Sequence, residues 1–312
     1  MRKLNLISIV VPAYNEAKNL PILYQRLVEV MENQKVPWEL IIVDDHSRDD
    51  TFSVIEDLAR QDKRVSGYRL SRNFGSHRAI WCGLDHAHGD CAVAVAADLQ
   101  DPPEVIRELL TQWQEGAQVV WGARRAREGE KSPALGLSSR LYYFIMRWFV
   151  GMREMPATGA DLFLIDRSLI NDLRQFSESH VSIFALITWM GFRQETVFYQ
   201  KRARAHGRSG WSLGKKIELA LDSIISFSDR PIRMITYLGF IFSLCGFIYA
   251  GFVVANAFIG NPVQGWSSLM VVVLVLGGFQ MLMMGILGEY LWRALDETRQ
   301  RPRYLIERSL PE

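Results

Sequence analysis

The chain has 312 residues, 49% of them hydrophobic, and 36 Lys+Arg against 34 Asp+Glu leave a formal net charge of +2. No global positive field therefore argues for nucleic acid, and the length suits one large or two small domains. Three cysteines, Cys82, Cys91 and Cys245, are too few and too scattered for a disulfide framework or a zinc site, and they read as reduced and structural.

The first apolar run, Leu6–Val11, has no small-residue cleavage site after it. It reads as a strand rather than a signal peptide, which leaves the N-terminal part in the cytoplasm. It ends in Pro12-Ala13-Tyr14-Asn15-Glu16, before a helix from about Leu20 to Met31. A second strand, Leu40–Val43, ends at Asp44-Asp45, and Asp49 or Asp50 can cap a helix running to about Arg60. A third, Val65–Leu70, ends in Ser71-Arg72-Asn73-Phe74-Gly75 before a helix to about His86. An alanine/valine run opens at Cys91, as expected of a strand buried on both faces of a parallel sheet, and stops at Asp98. Gln100 and Asp101 follow. Pro102 and Pro103 end the extended run, and Pro103 suits the first turn of a helix reaching about Glu115. Val119–Ala123 is the fifth strand. Strand and helix alternate with loops of ordinary length, which predicts a doubly wound, mainly parallel α/β sheet.

Beyond Ala123 the pattern loosens. Arg124, Arg125, Arg127, Lys131 and Arg140 crowd a Gly/Ser/Pro-containing loop, and an aromatic-rich helix is expected over Leu141–Phe149. Asp161–Ile165 and Glu195–Tyr199 read as strands, and the basic, Gly-rich Arg202–Trp211 as a loop. Leu213–Phe227 has apolar residues at helical spacing, the pattern of an amphipathic helix that lies on a membrane surface or packs on a soluble domain. Its place just before an apolar span favours the surface.

Two uncharged stretches, Met234–Ile259 and Leu269–Gly288, meet the roughly 20 apolar residues needed to cross a hydrocarbon core. The link between them carries no charge. Arg230 and Arg233 precede the pair; Arg293, Arg299, Arg301 and Arg303 follow it. The positive-inside rule then predicts a hairpin with both outer ends cytoplasmic. Glu289 has Arg293 four residues on and reads as half of a helix-end ion pair. The expected division is an α/β domain over 1–212, a juxtamembrane helix over 213–233, a hairpin over 234–292 with spans of about 234–259 and 269–292, and a tail over 293–312.

Each polar cluster follows a strand end, so the clusters line one crevice at the carboxyl edge of the sheet, where open α/β sheets bind ligands. Oxygen donors at Asp98 and Gln100 suit Mg²⁺ or Mn²⁺ bridging a diphosphate, and Asp44 or Asp45 can accept hydrogen bonds from a base or ribose. Any one cluster is ordinary turn chemistry, and Asp98 alone would be an N-cap; their shared position is the stronger signal. Neither G-x-x-x-x-G-K-[ST] nor G-x-G-x-x-G occurs, so ATPase and dehydrogenase readings lose their usual support.

V-V-P-A-Y-N-E (Val10–Glu16), I-I-V-D-D-H-S-R-D-D-T (Ile41–Thr51) and A-D-L-Q-D-P-P-E (Ala97–Glu104) together resemble the family-2 glycosyltransferases of GT-A fold. The match is nearest to the polyprenyl-phosphate glycosyltransferases, the group of dolichol-phosphate mannose synthases and bactoprenol glucosyltransferases. L-S-R-N-F-G (Leu70–Gly75), G-A-R-R-A-R-E-G-E (Gly122–Glu130) and R-A-H-G-R-S-G-W (Arg204–Trp211) support it, and the segment Gly288–Tyr304 resembles the bactoprenol branch.

The resemblance implies that Pro12, Tyr14, Glu16, Asp44 and Asp45, with Asn73 and Gly75, meet the nucleotide sugar, and that Asp98 and Gln100 hold Mg²⁺ or Mn²⁺. It implies an inverting transfer of a hexose, glucose from UDP-glucose, to undecaprenyl phosphate at the inner membrane, by a multi-pass protein with its active site in the cytoplasm. Arg124, Arg127, Lys131, Arg204 and Arg208, with Ser209, are candidates for the acceptor phosphate; the bland account is a solvated basic face or contact with anionic lipid. Asp161 is a candidate base or sugar-hydroxyl acceptor, or simply a turn residue. A homo-oligomer is expected, as are a flippase and a second glycosyltransferase downstream.

Two positions depart from the family pattern. Asp-Ala-Asp is usual before Leu-Gln, and this chain has Ala96-Ala97-Asp98; Gly210 follows Ser209 where Lys is usual. Three alternatives compete. A diacylglycerol acceptor would need base catalysis on a neutral hydroxyl. An impaired nucleotide-sugar-binding scaffold is motivated by Ala96. A flippase or channel is poorly served by two spans with no charged interior residue.

Overall fold

The structure is a computed structural model that describes residues 2–124, 160–176, 178, 181–201, 230–259 and 265–311. The chain forms two compact units, Met1–Ser223 with Pro302–Glu312, and Ile224–Arg301. The helices expected over Leu141–Phe149 and Leu213–Phe227 lie outside the described residues.

The first unit holds an eight-stranded sheet: β1 (Ile7–Ala13), β2 (Trp38–Asp44), β3 (Val65–Leu70), β4 (Cys91–Ala94), β5 (Val119–Arg124), β6 (Ala160–Asp166), β7 (Gln194–Tyr199) and β8 (Ile306–Leu310). The spatial order is β7-β5-β6-β4-β1-β2-β3-β8. β1 pairs in parallel with β2 and β4, β2 with β3, and β5 with β7. β6 is antiparallel to both β4 and β5, and β8 is antiparallel to β3. The sheet is therefore mostly parallel. Strand–helix alternation alone would seat β5 beside β4; instead β6 comes back between them.

Helices α1 (Leu20–Gln34), α2 (Thr51–Gln61) and α4 (Ile106–Gln114) cover one face. Ile7, Ile9 and Val11 alternate toward that face and pack in one core with Leu23, Leu27, Met31, Ile55, Leu109 and Trp113. α3 (Ser76–Asp85) lies on the opposite face, close enough that a side chain at Gly83 would strike Val10. α6 (Ile183–Trp189) shares that face: Phe184 sits edge-on to His77 and to Phe163. The short α5 (Arg167–Leu173) follows β6, its first turn capped by the Asp166 side chain. Pro103 opens a 3₁₀ turn that leads into α4, as its fixed φ favours.

The second unit contains α7 (Arg230–Phe258) and α8 (Trp266–Thr298), joined by Phe242 against Phe279 with ring centroids 4.9 Å apart. Ile232–Val253 and Val275–Thr298 are long and apolar enough to cross a membrane, and neither is buried by protein. A core helix of the same composition would be covered. Glu289 and Arg293 form the i,i+4 pair at 3.3 Å.

Candidate functional site

The parallel strands end at one edge, and their loops interlock there. Ala13 lies opposite Asp44, and Asp44 opposite Arg69. Asp45 N donates to Ala13 O at 2.9 Å, and Val95 N to Val10 O at 2.9 Å, which seats the loop after β4 beside β1. Asn15 N donates to Ser47 Oγ, Arg48 N to Asn15 Oδ1, and Glu16 N to Thr51 Oγ1, all at 2.8–2.9 Å. Asp49 Oδ1 accepts from Thr51 N at 3.1 Å, while Asp50, which occupies the N-cap position, makes no side-chain cap bond.

Backbone strain gathers at the same edge. Asn15 (φ 56°), His46 (φ 60°) and Leu99 (φ 61°) sit in the left-handed region, one in each loop after β1, β2 and β4, and Gly75 (φ 94°) lies after β3. For leucine this region costs about 1–2 kcal/mol. Strain of that kind clusters at ligand sites.

The two adjacent carboxylates divide their work. Asp44 is 0% exposed; its Oδ1 accepts from Ser47 N at 2.9 Å, and its Oδ2 lies 3.7 Å from Arg69 Nε. Burial pushes its carboxyl above the ordinary range, against the opposing pull of Ser47 and Arg69. Asp45 ties the loop after β3 to the loop after β2: its two oxygens accept from Phe74 N at 2.6 Å and Gly75 N at 2.8 Å. Burial raises its carboxyl to about 6 despite those bonds.

Asp98 is 8% exposed, and its Oδ1 accepts from Gln100 N at 3.1 Å, so the local turn role is filled as well. Gln100 is half-buried and Tyr14 exposed. Asp101 is fully buried, takes the Tyr199 hydroxyl at 2.5 Å and stands 3.6 Å from Lys201 Nζ. β7 thereby braces the loop that carries Asp98. No three His, Cys, Asp or Glu side chains converge on a metal-sized site among the described residues. Asp98 and Gln100 offer hard oxygen atoms, which fit a Mg²⁺-type ion whose shell substrate phosphates complete, rather than an all-protein cage. Ala96 adds no donor.

Pro12 is the penultimate residue of β1, Glu16 lies in the loop that follows it, and Asn73 and Gly75 lie in the loop after β3, all at that edge of the sheet. Arg124 closes β5 and is exposed. β6 runs antiparallel, so Asp161, near its start, falls at the same edge. Arg127, Lys131, Arg204, Arg208 and Ser209 lie outside the described residues.

Sequence reasoning missed four residues here. Lys201 could have been suspected, because it opens the basic stretch. Tyr199, Arg69 and Glu307 gave no local signal. Glu307 Oε2 lies 3.3 Å from Arg69 Nε and 3.6 Å from His46 Nδ1, and it belongs to the tail.

The model of glycosyl transferase family 2 matches residues 8–174. An uncharacterized glycosyltransferase of Synechocystis, sll0501, is 38% identical over 301 residues, spanning 96% of this chain and 94% of that protein. The SfII prophage-derived bactoprenol glucosyl transferase of Shigella flexneri is 34% identical, and a prophage bactoprenol glucosyl transferase homolog of Escherichia coli K12 is 35% identical; each alignment spans 97% of this chain and 98% of the relative. Among solved structures, mannosyl-3-phosphoglycerate synthase from Rubrobacter xylanophilus superposes with a TM-score of 0.51 at 18% identity over 74% of each chain. Glucosyl-3-phosphoglycerate synthase from Mycobacterium tuberculosis, solved with Mn²⁺ and UDP, gives 0.50 at 20% identity over 71% of this chain and 79% of that one. These superpositions agree with a GT-A sheet. Strand-end loops, sheet order and an alignment covering more than half of the chain converge: this protein belongs to glycosyl transferase family 2.

Proposed function

We propose that the protein moves a hexose, in the first instance glucose from UDP-glucose, to a polyprenyl phosphate in the membrane. The observation that carries this reading is the end-to-end match to bactoprenol glucosyl transferases, which spans both the crevice unit and the two apolar helices. A lipid-linked acceptor calls for an enzyme held at a bilayer, and α7 and α8 are long and apolar enough to hold it there.

In this reading the loops after β1, β2 and β3 seat the nucleotide, with Asp44 as hydrogen-bond acceptor and Tyr14 against the base or ribose. Asp98 and Gln100 hold a divalent ion, Mg²⁺ or Mn²⁺, which when bound neutralises the leaving diphosphate. The acceptor phosphate, with a second pKa of about 6, is already anionic at neutral pH and needs little general-base help. Its oxygen attacks C1 of the sugar as the bond from C1 to the donor diphosphate breaks, with inversion. Arg124, Arg127, Lys131, Arg204, Arg208 and Ser209 orient that phosphate behind C1, and Asp161 accepts from a sugar hydroxyl. The product carries its sugar on the side where it was made, so use on the far side calls for a flippase and a second transferase.

Membrane fractions incubated with a panel of labelled nucleotide sugars, with and without added polyprenyl phosphate, test the reading. Labelled lipid from UDP-glucose that depends on the polyprenyl phosphate is expected. Ala96 favours a second reading, a nucleotide-sugar-binding scaffold: tight donor binding with no lipid product, even in Ala96→Asp, would select it. Transfer to diacylglycerol alone would select the glycolipid alternative.

A further inference from the structure

We infer that Glu307 is a positioning residue for the donor pocket: it holds the Arg69 guanidinium beside Asp44. The inference rests on the reading of Asp44 as a nucleotide contact.

β8 pairs with the outer edge of β3, Arg69 opposite Arg308 and Leu70 opposite Ile306. The register slips between those pairs, which leaves Glu307 without a cross-strand partner: a bulge. Successive strand residues normally face opposite sides. Here the guanidinium carbons of Arg308 and Arg69 lie 5.8 and 5.5 Å from the same Phe52 ring, so both point to one face. Glu307 also reaches Arg69, with Oε2 3.3 Å from Nε. A bulge re-aims a side chain in this way, and bulges favour the neighbourhood of active sites.

The bulge solves a local electrostatic problem. Two arginines directly opposite on one face repel each other. Glu56 takes Arg308, with Oε1 3.4 Å from Nη1, and Glu307 takes Arg69. Arg69 is then shared between two carboxylates, Glu307 and the fully buried Asp44, and its Nη2 also donates to Ser47 O at 3.3 Å. Where the guanidinium sits decides how much positive charge Asp44 meets and how the loop from Ser47 to Arg48 is held. Glu307 sets that place.

The tail is fastened on the approach to the bulge. Ser71 N donates to Leu305 O at 2.8 Å, Tyr304 Oη to Asp85 Oδ2 at 2.7 Å, and the Arg303 guanidinium stacks 3.8 Å from the Trp81 ring. These contacts fix the segment through which the chain returns from its two apolar helices. The residue that trims the donor pocket thus comes from the far end of the sequence.

The test uses full-length protein in detergent, with UDP and MnCl₂ as the binding probe, followed by calorimetry and by steady-state transfer. Glu307→Gln should weaken UDP binding about five- to tenfold and raise the donor KM by the same factor. Its kcat and acceptor KM should stay within about twofold, a split that general unfolding would not give. Glu307→Asp should recover part of the loss, and in an Arg69→Gln background Glu307→Gln should add nothing. Unchanged UDP binding in Glu307→Gln, or an equal loss with and without Arg69, overturns the inference. Asp44→Asn separates the two ideas. If it weakens UDP binding while Glu307→Gln does not, only the role of the tail fails. If Asp44→Asn leaves UDP binding intact, the donor-pocket reading itself fails.

Discussion

Asp45 holds two strand-end loops together through a single carboxylate. The pattern after β2 points to nucleotide contacts. In the structure both Asp45 oxygens are taken by backbone N–H groups of the next loop. That arrangement titrates. Burial lifts the carboxyl from 3.8 to about 6, so folding favours its protonated form. Because the folded pKa is the higher one, its stabilising contribution is complete below about pH 4 and is lost as pH rises through about 6. The span corresponds to about 3 kcal/mol at most. Melting temperatures of wild type minus Asp45→Asn, taken from pH 4 to 7, should fall across that window and flatten above it; a flat difference throughout would remove the assignment. Ala96 makes a second prediction at this scale. A restored carboxylate in Ala96→Asp should raise kcat about tenfold, equivalent to 1.36 kcal/mol of transition-state stabilisation, and lower the Mn²⁺ concentration for half-activation. A lowered kcat in Ala96→Asp, with Asp98→Ala fully active, would place the metal elsewhere.

Among the elements, β7 has the least obvious task. Its last residue, Tyr199, and Lys201 two residues further on clamp Asp101 in the loop after β4. Lys201→Met leaves a fully buried carboxylate without that cation, and removing one partner of a buried pair costs about 3–5 kcal/mol. Lys201 keeps some solvent, so the lower end applies. The melting temperature should drop and the Mn²⁺ requirement should rise, whereas the affinity for polyprenyl phosphate should hold if only the loop is loosened. Most elements were legible for a physical reason. Strands β1, β2, β4 and β5 are runs of mostly buried apolar residues, and the loops after β1, β2 and β4 carry their chemistry beside the strand; β3 mixes buried with half-buried positions and is marked chiefly by the turn residues Ser71 to Gly75 behind it. β6 was legible as a strand but not as the insertion between β4 and β5, because register is a long-range property that local pattern does not encode. β8 was not legible at all. Ile306-Glu307-Arg308-Ser309-Leu310 is short, charged and mostly exposed, as an edge strand tends to be, and it lacks an alternating face. Glu307 was hidden for the same reason: its partner is Arg69, and only a bulge in an edge pairing brings the two together.

On the scale of the whole molecule, two long helices expose Phe240, Phe247, Met281 and Met284 along their length. Contiguous apolar area of that extent is rare on soluble monomers and ordinary against lipid. The sequence between the helices carries no charge, and the flanks are arginine-rich, which by the positive-inside rule predicts a hairpin whose linking residues 260–268 face away from the cytoplasm. A cysteine at Gln264 reports on this directly. Cys245 is exposed and must first be replaced by serine. Cys82 and Cys91 can stay: burial pushes the Cys82 thiol up to about 12 and the Cys91 thiol higher still, so neither offers a thiolate to a maleimide at neutral pH. In intact cells, a membrane-impermeant maleimide should label Gln264→Cys, and Ser309→Cys should react only after permeabilisation. The expected contrast is at least tenfold, because the bilayer excludes the charged reagent. Labelling of Gln264→Cys only after permeabilisation would mean that the helices do not form a hairpin across the membrane. The acceptor would then have to reach the crevice without one.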